Sequence, residues 1–177
     1  MENLNSSKIK VLISEKEIQE KVRELACGFN DTYKGEDLYV ICVLRGAVMF
    51  TVDLVKRLAM PVKMEFVRLS SYGSGTSTSG KVTADNLNFP DLTDKNVLVV
   101  EDIVDSGLTA KFLTEYMKKN FRTKSLTFCS LLNKKSRRKV EFEPDVCGFE
   151  VEDKFLVGYG MDYDNSYRNL PYIGYIE

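Results

Sequence analysis

VLVVEDIVDSGLTA, residues 97–110, carries four apolar residues into two adjacent carboxylates, Glu101 and Asp102. Asp105, Ser106, Gly107, Leu108 and Thr109 follow within the same stretch. An apolar run of this length ahead of a glycine-bearing turn predicts a buried strand, VLVV at 97–100. Leu108, Phe112, Leu113, Tyr116 and Met117 then recur at helical spacing. The stretch is therefore a strand–turn–helix unit with its acids gathered where the strand gives out.

The neighbouring segments repeat the alternation. LYVICVL, 38–44, is a continuous apolar run, as in a strand covered on both faces. The Arg45-Gly46 turn leads into a helix striped by Ala47, Phe50, Leu54 and Leu58 and ended by Pro61. Ser14 and Glu17 form a capping box for a helix over 14–30, with Ile18, Val22, Leu25, Ala26 and Phe29 on one face. Residues 62–69 and 124–132 read as strands, with short strand-like pieces from 146 to 160. Strands alternating with helices predict an α/β fold, a mostly parallel twisted sheet with helices on both faces. Ligands in such sheets bind at the carboxyl ends of the strands. SSYGSGTSTSG, 70–80, has almost no apolar content and is expected to be mobile.

Composition narrows the chemistry. The chain has 177 residues and a formal net charge of −1, so no overall basic field favours nucleic acid. No apolar run reaches the roughly 20 residues of a membrane helix. The opening MENLNSSKIK has no apolar core, so no secretion signal is expected. Cys27, Cys42, Cys129 and Cys147 are far apart and match no zinc spacing, which predicts reduced thiols and a cytoplasmic protein. Histidine is absent, so acid–base chemistry falls to carboxylates, Lys, Tyr or Cys.

The turn at 105–109 suits an anion. The first amides of a helix lack internal partners and carry the positive end of its dipole. Gly107 permits close approach, and the Ser106 and Thr109 hydroxyls add donors, giving a cradle for one phosphate. Glu101 and Asp102 can accept hydrogen bonds from a vicinal diol. A ribose 5-phosphate satisfies both ends. A helix cap at Asp-Ser-Gly and two solvated acids are the plainer readings of the same residues.

Residues 97–110 closely resemble the phosphoribosyl diphosphate-binding motif of type I phosphoribosyltransferases. LRG at 44–46, SSYG at 70–73, LLNKKSRRKV at 131–140 and DKFLVGYGMDYDNSYRNLPYIGY at 153–175 are similar to segments of hypoxanthine-guanine phosphoribosyltransferases. The resemblance implies a single phosphoribosyltransferase domain over 1–177. It would have a catalytic loop at about 70–83 and a small hood built from the N- and C-terminal segments, the latter from about 145. It implies Mg²⁺-dependent transfer of a 5-phosphoribosyl group to N9 of hypoxanthine or guanine, and a homodimer or homotetramer with no nucleic-acid or membrane partner.

The resemblance also distributes roles. Asp105 is the general base toward purine N7, although it could instead cap the helix and only orient the purine. Glu101, Asp102, Asp105, Ser106, Gly107, Leu108 and Thr109 hold the phosphoribosyl diphosphate. Arg45, Gly46, Arg168, Ser71 and Tyr72 face its pyrophosphate, and the bond before Arg45 can be cis in this family. Ile103, Lys134, Phe155, Leu156 and Asp162 contact the purine. Lys134 would donate to its 6-oxo group and so reject adenine, and Phe155 would stack on its face. Asp162 is the direct metal ligand, with Glu101 and Asp102 at the metal's waters. Lys135, Arg137, Arg138 and Lys139 are expected on a solvated surface. A basic run of this kind also suits a nucleotide-sensing regulator that binds RNA or DNA on the same fold. A phosphate-receiver domain would use the acids of VLVVED but has no role for the SGLT turn.

Overall fold

The computed structural model describes residues 9–71, 82–85 and 87–176. Six strands make the main sheet: β2 (Leu38–Leu44), β3 (Val62–Ser71), β4 (Val82–Asp85), β5 (Asn96–Val104), β6 (Ser125–Asn133) and β7 (Val146–Glu150). Their order is β4-β3-β2-β5-β6-β7. Five of them run parallel, and β4 lies antiparallel on the edge at β3. The helices are α1 (Glu15–Thr32), α2 (Val48–Val55) and α3 (Leu108–Asn120). A second, antiparallel sheet joins β1 (Ile9–Ile13), β9 (Ile173–Ile176) and β8 (Phe155–Val157), so both ends of the chain build the hood that the sequence implied.

Burial on two faces follows from the strand sequences. In β2, Leu38 and Val40 enter one core with Ile18, Val22, Phe29, Phe50 and Leu54 of α1 and α2. The alternate residues Tyr39, Ile41 and Val43 enter another with Leu113 and Met117 of α3. β5 divides in the same way, Leu98 and Val100 to the first core, Val97 and Val99 to the second. A strand apolar at every position is what a covered parallel sheet requires.

Two boundaries differ from the sequence reading. β5 does not stop at Val100 but continues to Val104, because Ile103 and Val104 pair with Leu132 and Asn133 of β6. Glu101 and Asp102 are therefore strand residues, held to the pleat rather than free in a loop. α2 ends at Val55, before Leu58, with its last amides closed by turn hydrogen bonds. β1, β4 and β9 escaped separate notice since each is five residues or shorter.

The capping box is present. Ser14 Oγ accepts from the Glu17 amide at 3.3 Å, and Glu17 Oε2 accepts from the Ser14 amide at 2.8 Å. Ser14→Ala is expected to cost about 1 kcal/mol, read as a lower urea midpoint with an unchanged slope.

Candidate active site

The functional candidates sit past the carboxyl ends of the parallel strands, where backbone groups leave the ladder and side chains converge. β2 delivers Arg45 and Gly46, β5 delivers Asp105 to Gly107, and β6 delivers Lys134. The C-terminal segment folds over them through β8 and the turn that follows it. The peptide bond Leu44–Arg45 is cis.

Three adjoining cavities result. One, of about 400 Å³, is lined by Asp102, Ile103, Asp105, Lys134, Phe155, Leu156 and Asp162, among others. A second, of about 480 Å³, takes in Arg45, Gly46, Glu101, Asp102, Asp162 and Arg168. A third, of about 190 Å³, is bounded by Glu101, Ile103, Asp105, Ser106, Gly107 and Thr109. Asp102 and Asp162 are common to the first two, Glu101 to the second and third, and Ile103 and Asp105 to the first and third. Nearly every residue singled out in the sequence is gathered here. Leu108 does not line the small cavity, though its amide points to Ser106 Oγ at 3.4 Å. Tyr72, and the segment 70–83 apart from the strand residues of β3 and β4, lie outside the described residues, and Ser71 closes β3.

Close backbone contacts fix these walls. A Cβ on Gly46 would lie 1.8 Å from Asp102 Oδ2, and one on Gly160 would lie 2.0 Å from the Gly46 carbonyl. Gly160 is thus a point of tight stacking. Gly107 caps α3 at φ 80° with no side-chain cap, which removes Asp105 from the capping role the sequence allowed it. Asp105 Oδ1 instead is buried without a hydrogen-bond partner and lies 3.5 Å from Arg137 Nε.

The acid pair is electrostatically costly. Burial, then the charge of Asp102, pushes the Glu101 carboxyl well above the usual range, with Arg138 opposing. Burial pushes Asp102 up to about 6, against backbone hydrogen bonds and Arg168, with Asp162 adding to the rise. Glu101 Oε2 is buried with no hydrogen-bond partner. An orphaned carboxylate oxygen beside a second acid calls for a hard cation or hydroxyl donors.

The basic run is exposed at Lys135, Arg137 and Lys139, as expected, and only Arg138 is drawn beneath the surface. Arg137 reaches Asp153 at 3.3 Å as well as Asp105, and Lys135 pairs with Glu150. Arg138 passes beneath the turn: its Nη1 donates to the Asp105 carbonyl at 2.7 Å, and its Nη2 donates to Asn133 Oδ1. A Cβ on Gly107 would lie 2.8 Å from Arg138 Cδ. Lys134 is buried, its Nζ donating to the Lys154 carbonyl at 2.9 Å. Phe155 is 54% exposed at the cavity rim, while Leu156 is buried. The sequence carried no periodic signal for Arg137 or Arg138, because their partners lie on other segments.

Residues 13–164 match the Phosphoribosyl transferase domain family. The chain is 44% identical to the hypoxanthine-guanine phosphoribosyltransferase of Bacillus subtilis, over 95% of this chain and 93% of that protein. It belongs to the hypoxanthine-guanine phosphoribosyltransferase family. The crystal structure of a hypoxanthine-guanine phosphoribosyltransferase from Bacillus anthracis superposes with a TM-score of 0.88 at 44% identity, covering 95% of this chain and 98% of that one. The bifunctional protein TilS/HprT of Listeria monocytogenes is also 44% identical over 99% of this chain, which spans 27% of that protein's length. The parallel sheet, its three helices and the terminal hood are the type I phosphoribosyltransferase fold.

A carboxyl raised by burial keeps a proton that the unfolded chain has already released. Native stability therefore falls as pH climbs from about 4, the unfolded carboxyl value, through the raised native value. Glu101→Gln in metal-free protein is expected to raise Tm at pH 8 by roughly 2–6 °C, at about 2–4 °C per kcal/mol for this length. The gain should vanish near pH 4, where wild type is itself neutral. Thermal melts across that range check it.

Proposed function

We propose that the chain transfers the 5-phosphoribosyl group of phosphoribosyl diphosphate to N9 of hypoxanthine or guanine, giving IMP or GMP and pyrophosphate in purine salvage. The observation that carries this reading is the set of three adjoining cavities that share acidic walls. A donor with three differently charged parts needs such an arrangement, and a mononucleotide hydrolase would not need the aromatic-rimmed one.

The small cavity suits the 5-phosphate: Gly107 brings backbone near, and Ser106 and Thr109 supply hydroxyls at the start of α3. Leu108 contributes its amide alone. Glu101 and Asp102 accept from the ribose 2- and 3-hydroxyls, which relieves their desolvation and mutual repulsion. Arg45, Gly46 and Arg168 face the pyrophosphate; Ser71 and Tyr72 would join them. Ile103, Leu156 and Phe155 bracket the purine, and Lys134 donates to its 6-oxo group. Adenine offers an amino donor there, and two facing donors leave both unpaired. Asp105, whose Oδ1 lies at the join of two cavities with no hydrogen bond and only Arg137 nearby, holds the N7 proton as N9 attacks the anomeric carbon.

Magnesium fits the residues present. Among the described residues no cluster of three or more metal-ligating side chains exists, but Mg²⁺ keeps several waters and needs few carboxylates when phosphates also bind it. Asp162 would ligate it after releasing Arg168, which now lies 2.7 Å from its Oδ1. Glu101 and Asp102 would hold its waters, and the ion supplies charge neutralisation for the departing pyrophosphate. The basic run, tied to Asp105, Glu150 and Asp153, leaves little free charge for the nucleic-acid reading. All four cysteines are free thiols, as suits a cytoplasmic enzyme.

A spectrophotometric assay with phosphoribosyl diphosphate and Mg²⁺ should give nucleotide from hypoxanthine and guanine and none from adenine. Asp105→Asn should lose roughly 10²–10⁴-fold in kcat. Wild type that consumes no 6-oxopurine would overturn the assignment.

A further inference from the structure

Gly158, Tyr159 and Gly160 follow one another with φ of 94°, 48° and 100°. Glycine adopts that region freely; a tyrosine there is sterically strained and stays only if its surroundings hold it. The hold is visible. The Tyr159 ring is 6% exposed, and its hydroxyl donates to Asp53 Oδ2 at 2.8 Å. The same oxygen accepts from Gln19 Nε2 at 2.7 Å. Arg57 closes the network, with Nη2 on Gln19 Oε1 and Nη1 on the Asp53 carbonyl, both at 2.7 Å. The phenol is thereby fastened to α1 and α2 together.

What it fastens lies on the other side of the turn. Gly160 presses on the Gly46 carbonyl, and its own carbonyl accepts from Arg168 Nη1 at 2.6 Å. Arg168 Nη2 meets Asp162 Oδ1 at 2.7 Å. Asp162 Oδ2 accepts the Asn165 amide at 2.7 Å, and Asn165 Oδ1 accepts Arg45 Nη1 at 3.1 Å. This chain of contacts reaches Arg45 and Arg168 of the second cavity. α2 carries Asp53 and starts directly after Ala47, so one short helix sets the span between the Gly46 loop and the Gly158–Gly160 turn. Neither Asp53 nor Tyr159 lines that cavity.

We propose that Asp53 and Tyr159 are positioning residues that lock the 158–160 turn against Gly46 and so hold Arg45, Arg168 and Asp162 in register for the pyrophosphate end of the donor. The role rests on the phosphoribosyl-transfer reading, and its test is built to fail separately. Magnesium pyrophosphate is titrated calorimetrically into wild type, Tyr159→Phe, Asp53→Ala and Asp53→Asn, alongside steady-state kinetics and thermal melts.

Tyr159→Phe removes one hydrogen bond to a carboxylate and is expected to weaken pyrophosphate binding roughly tenfold or more. The KM for phosphoribosyl diphosphate should rise with it, while the KM for hypoxanthine stays within about twofold, since Ile103, Lys134, Phe155 and Leu156 are not in the network and Asp162 is the one purine-cavity residue that is. Asp53→Asn keeps an acceptor for the phenol and should recover most of the affinity lost in Asp53→Ala. Unchanged pyrophosphate affinity in folded Tyr159→Phe overturns the proposal, as does an equal loss for pyrophosphate and hypoxanthine. If Tyr159→Phe does not fold, the contrast between the two Asp53 variants decides, and equal affinity in both overturns it. Wild type that binds pyrophosphate without turnover would sink the transferase reading while leaving the positioning role to stand on the titrations; wild type that binds none removes both.

Discussion

The burial of two neighbouring carboxylates in the central strand is the constraint around which the rest is arranged. β5 lies in the middle of the sheet, and its pairing with β6 through Val104 carries Glu101 and Asp102 away from water as part of a regular strand. Isolated there, they would be among the least favourable groups in the molecule. The fold surrounds them with partial compensation: backbone amides and Arg168 for Asp102, Arg138 for Glu101. One oxygen is left without a partner. The strain is released only by something that brings hydroxyls or positive charge, and that requirement makes the place a binding site.

Close backbone stacking gives the surrounding walls their precision. Asp102, Gly46 and Gly160 lie against one another in turn, each contact too tight for a side chain at the glycine. Three distant parts of the chain, the end of β5, the turn after β2 and the loop after β8, are thereby brought to fixed separations. A cleft assembled from loops gains the rigidity of a core when its loops touch main chain to main chain.

Much of this was legible before the structure, for physical reasons that differ by residue. The apolar runs in β2 and β5 announced a sheet covered on both sides, since no other setting tolerates seven or four such residues in sequence. Ser14 and Glu17 announced a helix start because capping is local chemistry. Glu101, Asp102, Asp105 and Gly107 stood out because acid next to an apolar run and a glycine turn conflict with simple packing. Arg138 was assigned to solvent because its contacts with the Asp105 carbonyl, Asn133 and Glu143 arise only once the turn is folded; Arg137 is exposed as expected, and only its pairing with Asp105 and Asp153 was out of sight. The extension of β5 through the acids was hidden for the same reason: it depends on what β6 offers across the ladder, and a charged pair looks locally like a strand's end. The contact at Gly160 had no local signal either, since only the position of Gly46 reveals it.

Arg138 lies under two subsites at once. Its guanidinium is the countercharge for Glu101, and its stem is the floor on which Gly107 rests. On the proposed function, diol recognition and anion recognition share one foundation stone. On that reading the purine end rests on separate rim residues, and a change at this one arginine would be felt by both halves of the sugar phosphate together.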